Sequence, residues 1–89
     1  MFSATFLSRP VATVYKIKGS DTTSEVACRR APTASASVMT TLRPGQRVDL
    51  VSLEEGMLET GGEFWLHVYP PLSHRPSCYI NTRYLIPYA

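Results

Sequence analysis

VACRRAPTASASVMTTLRPGQRVDLVS, residues 26–52, is the stretch that decides the fold of this 89-residue chain. Val26 to Arg30 is a short apolar strand that Pro32 stops, because proline has no N–H to donate to a ladder. Residues 33–37 are Thr, Ala, Ser, Ala and Ser with no periodicity. Pro32 and the hydroxyl side chains oppose a helix there, since Ser and Thr compete for backbone hydrogen bonds. A small apolar step (Val38, Met39, Leu42) leads into a Pro44–Gly45 turn. Arg47 to Leu53 then alternates, with Val48 and Leu50 on one face and Asp49, Val51 and Leu53 on the other. This order of parts predicts a small β-barrel, a fold better suited to holding a ligand than to catalysis.

Outward from that stretch the chain continues in the same manner. Val11 to Ile17 is rich in β-branched residues and reads as a strand. Lys18 to Glu25 is polar and reads as a loop. Glu54 to Gly62, with three glycines, reads as a hairpin tip with some strand on either side. Phe64 to Tyr69 (FWLHVY) is the strongest strand, ended by Pro70 and Pro71. Leu72 to Pro76 is a loop, Ser77 to Asn81 a strand, Thr82 to Tyr84 a single 3-10 turn, and Leu85–Ile86 a closing strand. No segment sustains a 3.6-residue period. The expectation is an all-β chain, a barrel of five to seven short strands with one 3-10 turn. Residues 1–10 read as a flexible N-terminal arm and 11–89 as one domain, close to the size at which a single core just suffices.

The apolar fraction of 44% and charged fraction of 18% are those of a globular protein. A net charge of +2 is too small to argue for nucleic acid. Arg29, Arg30, Arg43 and Arg47 crowd one stretch and Glu54, Glu55, Glu59 and Glu63 the next, which opposes it further. No apolar run reaches membrane-spanning length. The N-terminus lacks the basic region and long apolar stretch of a secretion signal, so either the protein is not exported or its leader is not present in this chain, and the cysteines have to arbitrate.

Cys28 falls in the first core strand and Cys78 opens the last long one. In a closed barrel those strands are neighbours, within bridging range. The alternative is two buried thiols acting as small hydrophobes. The placement favours the bridge, and with it an extracytoplasmic location.

Taken together, these parts resemble the bacterial SH3-type (SH3b) domain over roughly Val26 to Ile86. The matching features are the strand Val26-Ala27-Cys28-Arg29 with Pro32, the apolar step to Leu42, and the turn Arg43-Pro44-Gly45-Gln46. They continue with the tryptophan strand Trp65-Leu66-His67-Val68 and the closing Tyr79-Ile80…Tyr84-Leu85. The chain departs from the pattern at Ala27, where Asn is expected, at Cys78, where Gly often stands, and in the long insertion Pro70 to Ser77 with His74 and Arg75. Cysteines at 28 and 78 are similar to those of a disulfide-bearing, exported branch of the family. The resemblance implies an SH3-like barrel, secreted or periplasmic, that binds peptidoglycan peptides without catalysis. Fold does not fix function. The alternative is a protein–protein interaction module, a subunit or secreted effector, using the same groove or the 70–76 loop.

Candidate ligand-binding residues follow from the need for flat walls with polar tips in a peptide groove. On the Phe64–Tyr69 strand, alternation gives Phe64, Leu66 and Val68 the core face and leaves Trp65, His67 and Tyr69 partly exposed. Tyr84 matches the position where SH3-like barrels place a groove tyrosine, and Tyr15 is expected opposite it. Arg30 is the expected carboxylate contact, while Arg29 is expected to prop the loop by bonding backbone carbonyls. The expected binding set is therefore Tyr15, Arg30, Trp65, Tyr69 and Tyr84. Cys28, His67, His74 and Cys78 lack zinc-ligand spacing. No Ser–His–Asp grouping or phosphate loop is present. No cofactor, metal, nucleic acid or membrane span is expected, and the chain is read as a monomer.

Overall fold

The computed structural model describes residues 13–18, 25–72 and 76–88. The expected arm at 1–10, the start of the first strand, most of the 18–25 loop, and His74 with Arg75 lie outside the described residues. Eight strands follow in chain order: β1 (Val14–Ile17), β2 (Val26–Arg29), β3 (Val38–Leu42), β4 (Arg47–Leu50), β5 (Leu58–Thr60), β6 (Glu63–Tyr69), β7 (Cys78–Asn81) and β8 (Leu85–Pro87). The 3-10 turn, Thr82–Tyr84, lies between β7 and β8. The all-β class and the single 3-10 turn are as the sequence predicts. The strand count exceeds the expected five to seven because the apolar step at 38–42 is itself a strand, and because β5 and β6 are separate arms of a hairpin.

All strands belong to one antiparallel sheet in the order β3-β2-β7-β6-β4-β1-β8, with β5 paired to β6. β6 is the spine. Its first half pairs β5 (Leu58↔Trp65) and its second half pairs β4 (Leu50↔Val68), while β7 runs along its other edge (Leu66↔Ile80, Val68↔Cys78). The turns match the residues present. Thr60↔Glu63 closes the β5–β6 hairpin with only Gly61 and Gly62 between, both at positive φ (60° and 83°). A two-residue turn with both residues left-handed fits the right-handed twist of the strands, and glycine takes that conformation without steric cost. Pro87 sits on β8, an edge strand of the sheet, where its missing N–H breaks no ladder.

One face of the sheet curls around a single core. Tyr15, Ile17, Val26, Cys28, Leu42, Val48, Leu66, Val68, Cys78, Ile80 and Leu85 form it, drawn from every strand but β5. Cys28 and Cys78 are joined in a disulfide within this core, with Cα atoms 5.4 Å apart. Each cysteine is the residue before a member of the Arg29↔Tyr79 pair, so the bridge crosses the β2–β7 seam diagonally.

Two expectations about the core are corrected. Phe64 is 46% exposed. It lies on the core-facing parity of β6, but opposite Glu59 on the projecting hairpin, where no other strand covers it. Tyr15 is only 4% exposed and packs in the core beside Val48 rather than standing at a groove.

Candidate functional site

Period-two alternation gives β2, β6 and β7 a second face, turned away from the core. Odd-numbered residues occupy it: Ala27 and Arg29 on β2, Tyr79 and Asn81 on β7, and Glu63, Trp65, His67 and Tyr69 on β6. The register brings them into rows, Trp65↔Asn81 and then His67↔Tyr79↔Arg29. Above this face lies an open groove of about 720 Å³. Its lining comes from four places: β2 and the residue before it (Glu25, Ala27, Arg29), the loop after it (Thr33, Ala34), the β5–β6 hairpin (Thr60, Gly61, Glu63, Trp65), and the segment through the 3-10 turn (Asn81, Arg83, Tyr84).

Of the expected binding residues, the structure brings Trp65 and Tyr84 together in this groove. Tyr15, Arg30 and Tyr69 do not line it. Arg30 follows β2 and is exposed, and the arginines that line the groove are Arg29 and Arg83. Arg29 also props the loop as expected, its Nη1 donating to Ala36 O at 2.8 Å. Trp65 lies on the expected face but is buried (3% exposed) rather than partly exposed. The 3-10 turn packs on β6, and the walls of the groove leave the indole little open surface. Among the described residues its indole N–H has no hydrogen-bond partner. A buried donor in that state costs about 1–3 kcal/mol.

Glu63, Asn81 and Arg83 form the polar side of the groove. Arg83 Nη2 donates to both Glu63 oxygens, at 2.6 and 2.7 Å, and Asn81 Nδ2 donates to Glu63 Oε1 at 2.8 Å. The Asn81 bond first, and the Arg83 bond and charge next, hold the Glu63 carboxyl below its ordinary value. The bond to Glu63 and its charge raise Arg83 in turn. Asn81 also caps the 3-10 turn, its Oδ1 accepting from Arg83 N–H at 2.9 Å. One side chain thus fixes both the turn and the carboxylate. Glu25 is exposed, and among the described residues it has no hydrogen bond or ion pair.

Next to the groove, the ring of His67 stacks on that of Tyr79, with centroids 4.2 Å apart and planes 7° from parallel. His67 Nδ1 lies 2.9 Å from Glu55 Oε1. Burial first, and the Glu55 charge second, push the Tyr79 phenol above its ordinary value. Among the described residues no group of three or more His, Cys, Asp or Glu could hold a metal ion. No helix of the described residues is long and apolar enough to cross a membrane.

Reading the sequence by itself missed Glu25, Ala27, Glu63, Asn81 and Arg83. A signal for two of them was present: residues 25 and 27 share one strand face with Arg29 by parity alone. The Glu63–Arg83 pair, 20 residues apart, had none. Comparison with protein-family models, curated proteins and solved structures finds nothing that matches this chain.

Proposed function

We propose that this chain is a non-catalytic binding module of the SH3b kind, acting outside the cytoplasm, that holds an extended bacterial cell-wall peptide in the groove beside β2. The observation that carries the reading is the groove itself, with the half-buried Tyr84 in its lining, the buried Trp65 behind it and β2 running along it. Such a trough suits an extended chain, because flat aromatic walls grip backbone and small side chains at low entropy cost. The order of sequence parts from Val26 to Ile86 supports the family. The Cys28–Cys78 bridge suits an oxidising compartment. A non-catalytic role agrees with the lining, where the Glu63 carboxylate is already committed to Arg83 and Asn81.

The test is sedimentation with purified bacterial cell wall. Tyr84→Ala should abolish co-sedimentation while the circular dichroism spectrum stays unchanged, since Tyr84 is only half-buried. Trp65→Ala is a poor probe, because removing a buried tryptophan costs about 3–5 kcal/mol of stability. Full wall binding by Tyr84→Ala refutes the groove.

The second reading, a protein–protein interaction module, draws on the exposure of Phe64, which adjoins Glu63 and Trp65 in the chain. A pull-down that returns one stoichiometric protein through Phe64, with no wall affinity, favours it.

A further inference from the structure

We propose that the groove selects a peptide stretch that carries an amine at one end and a carboxylate at the other, the amine at Glu25 and the carboxylate at Arg29. This rests on the groove being a peptide site, and adds the ligand's charge pattern and length.

Four charged side chains line the groove: Glu25, Arg29, Glu63 and Arg83. Two of them cancel, because Glu63 and Arg83 are bonded to each other at 2.6 and 2.7 Å. The charges left for a ligand are Glu25 and Arg29. Glu25 is exposed and, among the described residues, unpaired. Arg29 commits one N–H to Ala36 O, which fixes the guanidinium in place. A guanidinium carries five N–H donors, so four remain, enough for the two-pronged grip that arginine makes on a carboxylate.

Both residues project from the same side of one extended segment, with Ala27 midway between them and also lining the groove. Four residues at the strand rise separate their Cα atoms by about 13 Å. Ala27 has the smallest side chain that keeps the strand regular, so the floor between the two charges stays low. An extended peptide advances at most about 3.3–3.6 Å per residue, so three or four residues span the interval. An anionic end and a cationic end at that separation complement a zwitterion. They oppose a stretch with neutral amide links at both of those points, which would leave both charges without a partner.

The experiment follows amide chemical shifts of the ¹⁵N-labelled protein on titration with tetraalanine, N-acetyl-tetraalanine, tetraalanine amide and dialanine. Free tetraalanine should bind about tenfold or more tightly than either blocked form, the range expected from losing a charge-assisted bond. Dialanine, too short to span, should bind as weakly as the blocked forms. In Glu25→Gln, an exposed site, free and N-acetylated tetraalanine should bind alike, while amidation still weakens binding. Equal binding of free and blocked tetraalanine overturns the zwitterion assignment and leaves the peptide groove standing. So does absence of tetrapeptide binding by a protein that still sediments with wall through Tyr84. Loss of both wall and peptide binding overturns the groove itself.

Discussion

Arg83 and Glu63 tie the 3-10 turn to the first residue of β6: one guanidinium nitrogen donates to both carboxylate oxygens, at 2.6 and 2.7 Å. The pair sets one side of the groove and joins elements that the disulfide does not reach. Its pH dependence follows from the direction of the shift. The Glu63 carboxyl titrates lower in the folded protein than in the unfolded chain. Its contribution is therefore present above the ordinary glutamate value and is lost as pH falls through the folded one. Arg83→Gln should move the Glu63 carboxyl upward toward its ordinary value, read by carboxyl ¹³C chemical shifts against pH. An unmoved titration would mean that Asn81 alone holds the carboxylate.

Tyr79 runs the opposite way. Its phenol is raised by burial and by Glu55, so its contribution is present below pH 10 and is lost as pH rises through the folded value. Absorbance at ~295 nm should show a late phenolate step that Tyr79→Phe removes and Glu55→Gln brings to lower pH. A step unaffected by Tyr79→Phe assigns it to another tyrosine.

Reduction of Cys28–Cys78 should cost about 4 kcal/mol, the chain-entropy value for opening a loop of 50 residues. Urea unfolding with and without reductant measures it. That is a large share of the stability of a domain this small, and reduction should leave a substantial unfolded fraction. A midpoint that does not move would mean the core holds the β2–β7 seam unaided.

Ile80 and Phe64 should separate sharply under truncation. Ile80 has no exposed surface and packs opposite Leu66, so Ile80→Ala should cost about 2–5 kcal/mol. Phe64→Ser, at a residue 46% exposed, should change stability by less than about 1 kcal/mol. Equal losses would show Phe64 to be part of a core the hairpin shields.

The strands and the turns are local matters, and they were legible; the Cys28–Cys78 pair, 50 residues apart, was legible because a barrel can make its two strands neighbours. Pro32, Pro44–Gly45 and Pro70–Pro71 break the chain where turns occur. Gly61–Gly62 takes the left-handed conformations a tight hairpin needs. The parity of β6 also holds: Leu66 and Val68 are in the core, and Trp65 and His67 are on the other face.

Tertiary structure decided what each face meets. Alternation names two sides of a strand, but burial depends on what chain segment crosses above it, and that is set by contacts distant in sequence. So Phe64, of core parity, projects on an uncovered hairpin, while Trp65, of outer parity, is enclosed. Tyr15 joins the core because β1 pairs with β4 and places it against Val48. Arg29 takes the place expected for Arg30 because it pairs with Tyr79 on the outer face, whereas Arg30 lies past the end of β2. The groove's free and cancelled charges follow from the same cause. Only the fold brings Arg83 to Glu63, and by pairing them it leaves Glu25 and Arg29 as the other charges of the groove lining.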